Sequence, residues 1–67
     1  MQSLNTCKAV IQDTFKVFKA HYENPDMDRL PEDFNQVYLK YGNKFCYDII
    51  IAMTEELERR EAAHGTI

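Results

Sequence analysis

The sequence predicts an all-α protein: an antiparallel helical hairpin with a short middle helix, carrying enough spare apolar surface to form a four-helix-type bundle as a dimer. Three observations predict it. From Leu4 to Tyr22 apolar residues recur at steps of three and four, the period of a helix with one apolar face. Asn24-Pro25 and Gly42-Asn43 punctuate the chain with residues that suit turns and helix ends. The stretch KFCYDIIIAMTEELERRE, Lys44 to Glu61, is apolar in its first half and charged in its second, and on a helix its apolar residues divide into two faces.

The first helix is expected over about residues 4–22, capped by Ser3 or Asn5. Leu4, Cys7, Val10, Ile11, Phe15, Val17, Phe18 and Tyr22 form its apolar arc, nearly half of the circumference at about 100° per residue. Lys8, Gln12, Lys16 and Lys19 fall outside that arc. A polar connection over residues 23–30 follows. The middle helix, about residues 31–41, starts with Asp28 as cap or with Pro31 in its first turn, where a missing N–H costs nothing, and Glu32 and Asp33 favour that end of the helix dipole. Gly42-Asn43 stops it, although the apolar phase runs on and a single long helix would tolerate an interior glycine at about 1 kcal/mol. The last helix, about residues 44–63, turns Phe45, Cys46, Ile49, Ile50, Met53 and Leu57 toward the first. Glu55 with Arg59 and Glu56 with Arg60 stand at i,i+4.

The 67 residues make one small domain, of a size at which a single core contributes about 3–5 kcal/mol and a stabilising partner is common. With 45% hydrophobic and 28% charged residues the chain is of folded composition. Its net charge of −3 weighs against nonspecific nucleic-acid binding. The start MQSLNTCKAV lacks the pattern of a signal peptide, and no run approaches a membrane span. The expectation is a soluble cytoplasmic protein with no membrane partner. Cys7 and Cys46 have neither zinc spacing nor a neighbour that would activate them, so they read as reduced core thiols.

Motifs for chemistry are weak. Asn24, Asp26, Asp28 and Glu32 mimic the spacing of a calcium loop, but Arg29 stands where glycine is needed and Asn35 where a bidentate glutamate is needed. His21 and His64 lack any metal or catalytic spacing, and His21 reads as a partly buried core residue. No cofactor, metal or catalytic group is expected. Tyr47 and Ile51 lie opposite the core arc of the last helix and need the middle helix or a second copy to cover them. With Tyr38, Tyr41 and Phe34 they are the candidate dimer or partner interface, since aromatic residues dominate such contacts. The functional expectation is a small non-catalytic interaction module, a regulatory, adaptor or inhibitor protein of the kind phages and plasmids encode, acting as a homodimer on an unidentified protein. The alternative is a helical dimer that binds double-stranded RNA or DNA through Lys8, Gln12, Lys16 and Lys19.

Overall fold

A computed structural model describes residues 3–24 and 26–65. Among them every regular element is an α-helix: α1 (Leu4–Tyr22), α2 (Leu30–Tyr41) and α3 (Lys44–Gly65). Each helix packs against the other two.

Local chemistry sets the boundaries. Ser3 caps α1, its hydroxyl accepting from the Thr6 amide at 3.1 Å; Asn5 lies within the helix. Asp28 does not cap α2. The Asp26 carboxylate does the work expected of it, accepting from the amides of Asp28 and Arg29, while the Asp26 carbonyl accepts from Arg29 and Leu30. Pro31 sits in the first turn of α2. Gly42 ends α2 with φ 61°, a left-handed conformation that only glycine adopts without strain. Asn43 then starts α3 by accepting from the Cys46 amide at 2.7 Å. The break at Gly42-Asn43 therefore satisfies both helix ends at once.

The expected hairpin is replaced by an up-down-up arrangement. His21 meets Asp33 and Asp13 meets Tyr41, so α2 runs antiparallel to α1. Tyr38 meets Tyr47, and Leu30 and Phe34 cluster with Leu57, so α3 runs antiparallel to α2 and parallel to α1. The reason is length: twelve residues of α2 at about 1.5 Å each carry the chain back along most of α1 before it turns again.

The core is small. Val10, Leu30, Phe34, Cys46 and Leu57 are buried, with Val17, Phe18, Met27, Ile50 and Met53 packed against the Leu30–Phe34–Leu57 cluster. The arc predicted for α3 is therefore the one that faces inward. The arc predicted for α1 faces inward only in part: Val10 is buried, and Val17 and Phe18 pack against the core cluster. Its inner stripe is Val10, Thr14, Val17 and His21, with Thr14 and His21 buried, whereas Leu4, Ile11, Phe15 and Tyr22 are 84, 49, 53 and 40% exposed. The i,i+4 pairs predicted for α3 also differ. Arg59 pairs with Glu56 at i,i+3. Arg60 turns to α1, where it donates to the Tyr22 carbonyl and lies 3.7 Å over the Tyr22 ring. A guanidinium at the end of α1 meets both a helix-terminal carbonyl and an aromatic face there, which an exposed carboxylate does not match.

Candidate functional site

Three groups of side chains are candidates, and two of them are used up by the fold. His21 is held from both sides: its Nδ1 accepts from the Asp26 amide at 3.3 Å, so the ring carries its hydrogen on Nε2, which donates to Asp33 at 2.8 Å. With both nitrogens engaged, the ring pins the connection to α2 and offers no free base. Asp13 accepts from the Tyr41 hydroxyl at 2.5 Å and from Lys40 at 3.1 Å. The phenol first, and then the ammonium, hold the Asp13 carboxyl below the usual carboxylate range, and the same contact holds the Tyr41 phenol above its ordinary value. Cys46 is buried, which pushes its thiol up and makes it a poor nucleophile. No group of three potential metal ligands occurs among the described residues. The Asn24–Glu32 segment spends its Asp26 carboxylate on backbone amides. The side chain of His64 lies outside the described residues.

The third group is apolar surface, and it forms two faces. The first joins α2 to α3. Pro31, Phe34, Asn35, Tyr38, Tyr47, Ile50, Ile51 and Thr54 line a depression of about 390 Å³. Phe34 is its buried floor, whereas Tyr47 and Ile51 are 51 and 40% exposed. The Tyr38 and Tyr47 rings meet edge to face with centroids 6.1 Å apart. Four of the five predicted interface residues thus come together; α2 partly covers Tyr47 and Ile51 and leaves the rest open. Tyr41 is not among them, because its hydroxyl is bound to α1 through Asp13.

The second face is the outer stripe of α1. Leu4, Ile11, Phe15 and Tyr22, with half-buried Phe18, follow the alternating spacing of a helix-pairing seam in which Lys8 is the polar position. Phe15, Phe18, Lys19, Ala20, Tyr22, Glu23 and Asn24 line a concavity of about 720 Å³. The sequence reading counts these residues into a single arc, and so misses them as a surface. A signal for them exists: Val10-Thr14-Val17-His21 and Ile11-Phe15-Phe18-Tyr22 are two stripes offset by one residue, and together they are wider than one neighbouring helix covers. Lys8, Gln12, Lys16 and Lys19 are all exposed. Lys8 and Lys19 border the outer stripe, and Lys16 lies toward α2, lining a depression with Asp13 and Lys40.

No family model, curated protein or solved structure matches this chain.

Proposed function

We propose that the protein is a non-catalytic protein-interaction module, a small regulatory, adaptor or inhibitor protein that self-associates through the α2/α3 face. The observation that carries this reading is the open depression between α2 and α3, with Tyr38, Tyr47 and Ile51 half exposed on its walls. Such a patch in a chain with so small a core favours burial against another surface.

The charge pattern supports a second copy as that surface. Lys44, Ile51 and Glu58 stand seven residues apart, in one row along α3. If two α3 helices meet antiparallel with Ile51 on the twofold axis, Lys44 of each faces Glu58 of the other. Lys44 is bonded to Asp48 on its own helix, but both are exposed and that pair holds it weakly. An isologous contact of this kind buries Ile51 against itself and produces a four-helix-type core from α2 and α3 of each copy.

Sedimentation equilibrium tests the reading. Wild type is expected at twice the 7.9 kDa chain mass, and Ile51→Glu at the chain mass with helicity unchanged by circular dichroism. A wild type that stays monomeric at hundreds of micromolar sinks the self-association.

A further inference from the structure

The outer stripe of α1 is not explained by a dimer through α2 and α3. It lies on a different helix, and its charges are unsuited to a second copy. An antiparallel pairing of two such stripes brings Lys8 of one beside Lys19 of the other, and a parallel pairing brings each lysine against its own counterpart. Like charges face each other in both directions.

The same charges fit a different occupant. The chain has eight basic and eleven acidic residues, and Lys40, Lys44 and Arg59 are each paired with a carboxylate while Arg60 is taken up by Tyr22. Lys8, Lys16 and Lys19, with Arg29 just before α2, make no ion pair among the described residues, although Lys16 is near enough to Asp13 to help lower its pKa. An otherwise acidic protein thus concentrates its unpaired lysines on the helix that carries an exposed seam of Leu4, Ile11, Phe15 and Tyr22. We infer that this seam binds an amphipathic helix of another protein whose apolar stripe is bordered by glutamates or aspartates. The three- and four-residue spacing presents knobs to a facing helix, and the concavity among Phe15, Phe18 and Tyr22 accepts one large apolar side chain. Lys8 and Lys19 then set partner and register along the seam, and Glu23 is, among the described residues, the one carboxylate that lines the concavity, at its C-terminal end. An anionic lipid surface is disfavoured by the net charge of −3. This inference rests on the reading of the protein as an interaction module, but not on its dimerisation.

The test uses two synthetic helical peptides of about three heptads, identical in their leucine seam and bordered by glutamate in one and by lysine in the other. Fluorescence anisotropy against the full chain measures binding. The glutamate peptide is expected to bind saturably and more tightly at low salt, and the lysine peptide to bind at least about tenfold more weakly. Phe15→Ala, a truncation at the centre of the seam, is expected to weaken binding of the glutamate peptide about tenfold or more. The double variant Lys8→Glu/Lys19→Glu is expected to reverse the peptide preference, a result that mere unfolding cannot produce. Ile51→Glu should bind the glutamate peptide as wild type does, so failure of the dimer and failure of this site are separable. Equal binding of the two peptides, or binding of neither, overturns the inference. So does a preference for phosphatidylserine vesicles or for an RNA duplex over the glutamate peptide, or a fall of the wild-type dimer to monomer on Phe15→Ala.

Discussion

Two stripes of α1 stand one residue apart in sequence and about 100° apart around the helix, and their chemistry runs opposite to simple hydrophobic sorting. The inner stripe, Val10, Thr14, Val17 and His21, contains a hydroxyl and an imidazole and is buried apart from half-buried Val17; the outer stripe, Ile11, Phe15, Phe18 and Tyr22, is apolar throughout and its Ile11, Phe15 and Tyr22 are exposed. Rotating α1 by one residue would exchange them. What prevents the exchange is hydrogen bonding to other segments: His21 bridges the Asp26 amide and Asp33, and Asp13 takes Tyr41 and Lys40 on the α2 side, while the Thr14 hydroxyl is satisfied within its own helix by the Val10 carbonyl at 2.7 Å and so tolerates burial. No buried side-chain polar atom among the described residues lacks a partner. Orientation is therefore specified by polar contacts, and the larger apolar side chains are left for a surface.

The strongest way to break this comparison is to charge the inner stripe. Thr14→Glu places an unpaired carboxylate where the side chain is fully buried, at a cost of about 3–5 kcal/mol, enough to unfold a domain of this size. Loss of the helical circular-dichroism signal is the expected result, and a folded variant would mean that Thr14 faces solvent. A smaller effect is expected for His21→Phe, which fills the same space but leaves the Asp26 amide without an acceptor and Asp33 without a donor. Chemical denaturation should show a loss of about 1–3 kcal/mol. If this variant were instead more stable, His21 would not be the clamp between the connection and α2.

Asp13→Asn tests the third polar contact through its pH dependence. The fold holds the Asp13 carboxyl below its ordinary range, so folding favours the ionised form. The stabilisation is then present above the unfolded-state value of about 3.9 and is lost as pH falls through the lower folded-state value. The variant should be less stable than wild type at neutral pH, and the gap in melting temperature should close below about pH 4. A gap that is the same at pH 7 and pH 3 would show that the contact is not ionic.

How much of this was legible in the sequence follows from which residues carry each feature. The three helices and the break at Gly42-Asn43 are written in local signals, a glycine that adopts φ 61° and an asparagine that caps the next helix. The inward arc of α3 is legible because Cys46, Ile50, Met53 and Leu57 keep one phase. The face of Tyr38, Tyr47 and Ile51 is legible as apolar residues off that arc. The path of the chain is not, since periodicity gives a helix its face but not its direction relative to a helix two elements away. The outward seam of α1 is hidden for a different reason. Hydrophobicity ranks Phe15 and Tyr22 above Thr14 and His21, and the hydrogen bonds that reverse the ranking connect residues up to 28 positions apart, as Tyr41 with Asp13. Arg60 belongs to the same class, because its partner on Tyr22 lies 38 positions away.

The measurement that bears most directly on the account is the urea midpoint of Phe15→Glu, the neighbour of Thr14. Phe15 is half exposed and stands outside the core cluster, so the variant should unfold within about 0.5 kcal/mol of wild type with an unchanged helical spectrum. A loss comparable to that of Thr14→Glu would contradict it: α1 would then be turned by one residue, with Ile11, Phe15 and Tyr22 inside.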